Sequence, residues 1–507
     1  MRHGSHAARR LLWLALFLAG ALDRGQAVAA DEAAEPLAAR TALDEHVARP
    51  DPHYAWSVVK EVRDKGFTAY VVDMKSQAWR TPREVDRTVW QHWLVVVKPD
   101  EVKFDTGFLL IGGGSNDRPP PDRPEELVVQ IALATSSVVA ELKMVPNQPL
   151  IFHGDGQKRR EDDLIAYTWD QFLKTGDPTW PARNPMVKSA VRAMDTVASL
   201  LAGERGGKLA VNRFVVAGGS KRGWTTWLTG AIDRRVVAII PIVIDVLNVD
   251  ASMRHHYAAY GFWAPAIDDY VHHEILQQMD NPKLRELYRL VDPFSYRHRL
   301  KMPKYIVNAS GDEFFLPDSS QFYFDRLEGE KHLRYVPNAD HSLDDTDAVE
   351  SIVAFYRMIL TGTPRPECSW TLEDDGSIHV RTVDKPAAVN LWQATNPHAR
   401  DFRVETLGKK YTVSPLEGQD GGLYVGKVDE PEQGWTAFFV ELVYDAGGKL
   451  PLKLTTEVRV VPATLPFADK KIPGTSQPHP RVSETSMCAG EDLLQSAPKI
   501  LTGFPLP

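Results

Sequence analysis

The chain has 507 residues, of which 43% are hydrophobic and 25% charged, and its formal net charge is −8. This length predicts two or three domains, and the balance of apolar and charged residues is that of a soluble globular protein rather than a disordered or multiply membrane-spanning one. The charge is spread along the chain without a concentrated basic stretch, which argues against a nucleic-acid partner.

The first 29 residues have the pattern of a secretory signal peptide. Arg9 and Arg10 supply positive charge, residues 11–22 form an apolar run, and Ala-Val-Ala at 27–29 offers a cleavage site between small residues. A membrane anchor is the alternative, but a membrane span needs about 20 apolar residues and this run is shorter. We therefore expect a mature protein that is periplasmic or secreted, without stable membrane insertion.

Strand and helix patterns then alternate up to about residue 360. Runs rich in aromatic and β-branched residues at 68–74 and 90–97 predict strands, and the apolar run at 108–111 is typical of a strand buried on both faces of a parallel sheet. Further strands are predicted at 137–144, 214–217, 236–243, 303–307 and 332–336, and helices at 125–135, 162–174, 186–201 and 347–360. This alternation predicts an α/β domain over residues 30–362.

A helical segment rich in aromatic residues and histidine interrupts the alternation at 253–290. Such an insertion is where a lid over a substrate would lie, and we place a cap at about residues 250–300. Its histidine pairs, at 255–256 and 272–273, lack the H-E-x-x-H spacing that brings two zinc ligands to one helix face. We therefore expect no metal and no other cofactor.

The composition changes at a linker rich in proline at 361–366. Beyond it, short alternating runs separated by Gly and Asp predict a small all-β, sandwich-like domain at 367–462. The last stretch, 463–507, is rich in Pro, Ser and Gly and is predicted to be extended or disordered. Cys368 and Cys488 could form one disulfide in an oxidising compartment, and the sequence leaves open whether they are close enough to do so.

The clearest chemical signal follows the strand predicted at 214–217. There Ser220 comes after two glycines and before a helical pattern, the arrangement of a nucleophile elbow. A sharp strand-to-helix turn raises the serine hydroxyl above the sheet and points the N–H of Lys221 toward the developing oxyanion. Arg222 replaces the second glycine of G-x-S-x-G, and Gly223 follows one place later, so a plain turn with an N-capping serine is the alternative.

Two more residues complete a Ser, Asp, His order along the chain. Asp312 and His341 each follow one of the last two predicted strands of the domain. They thus come at the carboxyl edge of the sheet, where open α/β sheets bind ligands. We assign His341 as the general base for Ser220 and Asp312 as the acid that orients it, with Glu313 as the main rival for the acid.

An oxyanion hole needs a second N–H donor, which a glycine-rich loop after an earlier strand can supply. Gly113 and Gly114 follow the apolar strand at 108–111 and are predicted to line the hole together with Lys221. A flexible glycine loop or a weak phosphate site is the alternative interpretation of these glycines.

Two further residues are candidates for substrate contacts. Trp224 follows the elbow on the predicted helix, where core packing is its alternative role, and Glu274 lies in the predicted cap. Glu274 and the pair Asp268-Asp269 would favour an exopeptidase if they held a free amino terminus.

At the elbow and the two loops, the chain resembles the PhoPQ-activated pathogenicity-related proteins. The resemblance rests on GSKRGW at 219–224, GDEFFLPD at 311–318 and NADH at 338–341, and it extends over about residues 40–460. It implies an α/β-hydrolase domain and a β-rich C-terminal domain in exported, mostly bacterial proteins, and it implies little about substrate. The elbow also resembles that of glucuronoyl esterases, in which a basic residue follows the serine and the glycine is likewise displaced.

These observations predict an α/β-hydrolase fold with a helical cap insertion and a C-terminal all-β domain. The leading hypothesis is a serine hydrolase that cleaves an ester or amide bond of a small molecule or peptide through an acyl-enzyme on Ser220. The rival is a catalytically silent exported binding or signalling protein whose β-domain meets a protein partner, because a fold does not by itself imply activity.

Overall fold

The computed structural model describes residues 40–474 except Lys449. The predicted signal peptide, Cys488 and residues 475–507 of the predicted tail lie outside this range. In the described part of the chain, no helix has the length and apolar character needed to cross a membrane.

The largest element is a nine-stranded sheet. Its strands are β1 (Ala55–Asp64), β2 (Phe67–Ala78), β3 (Val89–Pro99), β4 (Thr106–Ile111), β5 (Val139–Leu142), β6 (Arg213–Gly219), β7 (Val236–Ile242), β8 (Lys304–Ala309) and β9 (Lys331–Val336). They lie in the order β1-β2-β3-β5-β4-β6-β7-β8-β9, and the pairing is parallel from β5 through β9. The predicted α/β-hydrolase fold is confirmed.

The parallel strands carry apolar side chains on both faces of the sheet, and both faces are buried in the core. Leu109 and Val216 belong to one core cluster, and their chain neighbours Phe108 and Val215 belong to a second. This arrangement explains the unbroken apolar runs, since successive residues of a strand point to opposite faces. The edge strand β1 was absent from the sequence prediction because its residues are exposed or half-buried and many of them are charged.

Helices cover the sheet and build the cap, and one short helix lies in the C-terminal region. They are α1 (Ala42–Ala48), α2 (Glu126–Thr135), α3 (Glu161–Thr175), α4 (Arg183–Ala202), α5 (Lys221–Ile232), α6 (Val249–Tyr260), α7 (Asp268–His272), α8 (Pro282–Val291), α9 (Ala348–Thr361) and α10 (Val404–Leu407). The predicted cap is therefore not one long helix. Gly261 ends α6 in a left-handed conformation, and the Asn281 side chain caps the start of α8.

The C-terminal region is all-β except for the single turn of α10. Its strands are β10 (Cys368–Leu372), β11 (Ile378–Thr382), β12 (Ala388–Asn396), β13 (Thr412–Pro415), β14 (Leu423–Gly426), β15 (Trp435–Asp445), β16 (Pro451–Thr455) and β17 (Arg459–Val461). They form a three-stranded sheet, β10-β11-β14, and a second sheet, β13-β12-β15-β16, in which β17 also pairs with β15. Cys368 is half-buried at the start of β10, and its pairing with Cys488 stays a prediction.

The first part of the predicted tail contacts the cap. The Phe467 amide donates to the Ala258 carbonyl of α6 at 2.9 Å, and Lys470 Nζ donates to the Gly261 carbonyl at 2.6 Å. Up to residue 474, the chain after β17 thus packs against α6.

Candidate active site

Ser220 occupies a strained turn between β6 and α5. Its backbone lies at φ 55°, ψ −126°, a region that costs free energy for a residue with a Cβ and that recurs at functional sites. Two glycines make the turn possible: a Cβ on Gly218 would lie 2.8 Å from the Arg222 carbonyl oxygen, and one on Gly223 would lie 2.9 Å from the Gly218 oxygen. Gly223 therefore provides the close approach of strand and helix despite the arginine at 222.

Lys221 and Arg222 are buried and paired with acidic residues of α3. Arg222 makes two hydrogen bonds to the Glu161 carboxylate, of 2.7 and 2.8 Å. Lys221 Nζ lies 2.8 Å from Glu161 and 3.0 Å from Asp162. Burial alone would raise the pKa of Glu161, but the charges of Arg222 and Lys221 hold it well below its usual range. Both basic side chains thus belong to a buried ion-pair network rather than to a solvated surface.

The glycine loop lies beside the elbow. Parallel pairing sets Ile111 of β4 opposite Gly218 of β6, so the chain from Gly112 leaves the sheet next to Ser220. A Cβ on Gly113 would lie 2.7 Å from an Arg222 nitrogen, and the Gly114 carbonyl accepts a hydrogen bond from Gln148. The loop thus leaves the sheet beside the elbow, and the oxyanion hole of Lys221, Gly113 and Gly114 stays a prediction.

Asp312 and His341 come together beyond the carboxyl ends of β8 and β9. His341 Nδ1 lies 2.8 and 3.0 Å from the two carboxylate oxygens of Asp312, and both side chains are buried. Glu313 accepts the backbone N–H of His341 at 3.0 Å, so it contacts the loop rather than the ring. His341 Nε2 is buried and has no hydrogen-bond partner among the described residues, Ser220 included.

A further carboxyl group, Asp245, lies buried at the same edge of the sheet just after β7. Its oxygens accept hydrogen bonds from Tyr323 at 2.7 Å and Tyr335 at 2.5 Å. Burial raises the pKa of Asp245 to about 8. Because its oxygens bind the two tyrosines, Asp245 is not a partner of His341 in this structure.

Ser220 lines a small cavity of about 50 Å³, which lies between the sheet and the cap. The apolar part of its lining includes Trp169, Trp224, Ile244, Met253, Tyr288 and Phe315. Phe314 lines the cavity as well, and its ring centre lies 4.2 Å from that of His341. Ser220 and Phe314, whose ring lies against His341, therefore line the same cavity. Most of the cavity wall is apolar.

The two predicted substrate residues have different positions. Trp224 lines the cavity and donates from its indole nitrogen to the Val291 carbonyl at 2.6 Å. Glu274 is exposed and is not among the residues that line the cavity. The acidic residue that does line it is Asp162, which the sequence did not single out.

The β-domain reaches the acid and histidine loops directly. Asn338 and Tyr411 exchange two hydrogen bonds, of 2.8 and 2.9 Å, between the asparagine side chain and the tyrosine backbone. The Val404 amide donates to the Gly311 carbonyl at 2.9 Å. Since Gly311 precedes Asp312 and Asn338 precedes His341 by three residues, the β-domain stabilises the positions of both.

Replacing Asn338 by alanine is therefore expected to slow any reaction that needs His341 by about tenfold to a hundredfold, the usual scale for a small misplacement of a catalytic group. The rate constant for labelling by a fluorophosphonate measures this effect. Thr412→Ala is the matched control, because Thr412 is the residue next to Tyr411 and its side chain donates to the Gln393 carbonyl rather than to the loop of His341. Equal rates for Asn338→Ala and the wild type would show that this contact does not position the loop.

The environment of His341 also predicts a pH dependence. Burial disfavours the protonated ring, but the charge and hydrogen bond of Asp312, helped by Glu313, outweigh burial and raise the pKa of His341 above its ordinary value of 6.5. A general base must be neutral, so the labelling rate should fall as the pH drops through this raised pKa. A profile of labelling rate against pH with its acid midpoint at or below 6.5 would contradict the assignment.

Two comparisons of sequence identify the relatives of this chain. A model of the PhoPQ-activated pathogenicity-related protein family matches residues 43–403. Autocrine proliferation repressor protein A of Dictyostelium discoideum is 41% identical over 459 residues, which cover 84% of this chain and 92% of that protein. The family match reaches from α1 to the start of the contact between the β-domain and the acid loop.

Solved structures with a similar fold include several esterases. The acetyl xylan esterase from Paenibacillus sp. R4 is 16% identical with a TM-score of 0.44, over 63% of this chain and 91% of that chain. A glucuronoyl esterase from Solibacter usitatus is 16% identical with a TM-score of 0.34, over 58% of this chain and 83% of that chain. Identities and TM-scores this low do not bear on activity. The sequence matches do establish the family, and the chain belongs to the PhoPQ-activated pathogenicity-related proteins.

Proposed function

We propose that this protein is an exported serine hydrolase that cleaves an ester or amide bond through an acyl-enzyme on Ser220. The observation that carries the proposal is the strained backbone of Ser220 at the mouth of an apolar cavity. The hydrogen-bonded pair of Asp312 and His341 at the neighbouring strand ends supports it. Export rests on the sequence pattern of residues 1–29.

The reaction starts with the proton of Ser220. His341 Nδ1–H donates to the Asp312 carboxylate, which leaves the Nε2 lone pair to accept the serine proton during attack on the carbonyl carbon. In apo structures such hydrogen bonds are often long and tighten only when substrate binds, so the missing bond between Ser220 and Nε2 is compatible with this role.

Charge then develops on the carbonyl oxygen of the substrate. The amides of Lys221 and of Gly113 or Gly114 stabilise this oxyanion, and each such donor contributes about 3 to 4 kcal/mol. His341 returns the proton to the leaving alcohol or amine, and the acyl group stays on Ser220. Water, activated by the same His341 Nε2, hydrolyses the acyl-enzyme and regenerates the serine.

Labelling with a fluorophosphonate tests this proposal, because these probes react with activated serines. We expect stoichiometric labelling of the wild-type protein and none of Ser220→Ala. Ser342→Ala is the matched control, since Ser342 lies next to His341 but its hydroxyl bonds to Asp340 and Asp344 rather than to His341. A folded wild-type protein that does not react would contradict the proposal.

The name of the Dictyostelium discoideum relative favours a second candidate function. It describes an autocrine repressor of proliferation, which suggests an extracellular signal whose effect need not involve catalysis. Adding purified wild-type protein or Ser220→Ala to growing D. discoideum cells separates the two candidates. Equal repression by both proteins would favour signalling without the serine, whereas repression lost in Ser220→Ala would join the signal to the hydrolase.

A further inference from the structure

Arg183, at the start of α4, is a buried cation in the wall of the cavity. Its side chain lines the same cavity as Ser220 and the residue is only 1% exposed. Its guanidinium lies 4.3 Å from the centre of the Trp224 ring and donates to the Lys221 carbonyl at 2.9 Å. The Nε atom is buried without a hydrogen-bond partner among the described residues.

The hydrogen-bonding neighbours of Arg183 are uncharged. They are the Lys221 carbonyl and the Tyr270 hydroxyl. Asp162, the carboxylate in the cavity wall, binds Lys221 and the Tyr270 hydroxyl instead, at 3.0 Å each. Within the described range, Arg183 makes no ion pair with a carboxylate.

A count of the ion pairs around the elbow, made over the described residues, also leaves Arg183 without a carboxylate in contact. The cations are Lys221, Arg222 and Arg183, whereas the carboxylates that contact them are Glu161 and Asp162. Taking a charge out of water costs several kcal/mol unless a partner compensates for it, and buried charges are normally paired. Among the described residues, Arg183 is thus the cation at the elbow that contacts no carboxylate directly, and the charge of Asp162 acts on it only through space.

We propose that the substrate carries a carboxylate, which binds the guanidinium of Arg183 inside this cavity while its scissile bond lies at Ser220. A planar guanidinium matches a carboxylate with two parallel hydrogen bonds, and the unpaired Nε supplies one of the donors. Apolar walls strengthen such a pair by excluding water. The inference rests on the proposed hydrolase function and specifies its substrate class as esters or amides of molecules with a second, free carboxylate.

The alternative is a purely structural role, in which Arg183 stacks on Trp224 and fixes the Lys221 carbonyl. That role predicts equal losses for charged and uncharged substrates when Arg183 is replaced. A carboxylate-binding role predicts a change in their ratio, and the ratio is therefore the informative measurement.

Two fluorophosphonates with the same alkyl chain measure this ratio, one ending in a carboxylate and the other in an isopropyl group of similar shape. We expect the wild-type protein to react with the carboxylate probe at least about tenfold faster than with the isopropyl probe. A tenfold ratio of rates corresponds to about 1.4 kcal/mol. Arg183→Met should remove this preference, and Arg183→Lys should keep part of it. Arg192→Met is the matched control, because Arg192 lies on the same helix outside the cavity and pairs with Asp195; it should leave the ratio unchanged.

A wild-type ratio near one would overturn the inference while leaving the hydrolase proposal intact, and this result does not depend on whether Arg183→Met folds. A preference that survives in Arg183→Met would overturn it too. Absence of labelling by both probes would instead contradict the hydrolase proposal itself.

Discussion

Asp312→Asn is expected to lower kcat/KM and the rate of fluorophosphonate labelling by about four orders of magnitude, the scale seen when the acid of a Ser-His-Asp triad becomes an amide. Asp312 accepts the Nδ1–H of His341 at 2.8 Å. An asparagine can present its NH₂ to Nδ1, which favours the tautomer with the proton on Nε2. That tautomer cannot accept the proton of Ser220.

Glu313→Gln is the control that separates the two neighbouring acids. Glu313 accepts the backbone N–H of His341, and a glutamine oxygen can accept the same bond. We expect its rate to stay within about tenfold of the wild type, as for a group outside the proton path. The opposite ranking of the two variants would move the acid role from Asp312 to Glu313.

The largest expected effect on stability comes from Glu161→Gln. Glu161 is the shared partner of Lys221 and Arg222, whose side chains are 6% and 4% exposed. Removing one partner of a buried ion pair leaves an uncompensated charge and costs about 3 to 5 kcal/mol. Urea denaturation should show this loss in the free energy of unfolding.

Asp170→Asn provides the matched control on the same helix. Asp170 pairs with Lys174, whose side chain is 64% exposed, and an ion pair in solvent contributes about 0 to 1 kcal/mol. Similar losses in the two variants would mean that the ion pairs of Lys221 and Arg222 add no more than a surface pair. Partial recovery of the free energy of unfolding in the double variant Glu161→Gln with Arg222→Met would show that the loss comes from the guanidinium of Arg222 that has no partner in Glu161→Gln.

Local patterns in the sequence were sufficient for the fold class and the main catalytic hypothesis. The apolar runs that form β4 and β6 predict buried parallel strands because both faces of such strands must be apolar. Ser220, Asp312 and His341 stand out since each follows a strand in the order that α/β-hydrolases use. These patterns are local, so they can be recognised without knowing which distant parts of the chain are in contact.

Other features depend on contacts between distant parts of the chain. The sequence pattern of the cap predicts one helical segment, but the breaks in that segment decide which of its residues reach the cavity. Glu274 of the cap does not line the cavity, whereas Asp162 of α3 does. The β-domain looked like a separate module, yet Tyr411 and Val404 contact the acid and histidine loops. Neither contact has a signature in sequence spacing.

By itself, the sequence determined the α/β-hydrolase fold, the strand-to-helix turn at Ser220 and the chain order of the candidate triad, because secondary structure and its turns follow from local periodicity and backbone sterics. Only the tertiary structure decided which carboxylate contacts His341, and that Lys221 and Arg222 form ion pairs whereas Arg183, within residues 40–474, forms none. The physical reason is that the pairing of buried charges depends on distances between side chains from separate elements, and folding alone sets those distances.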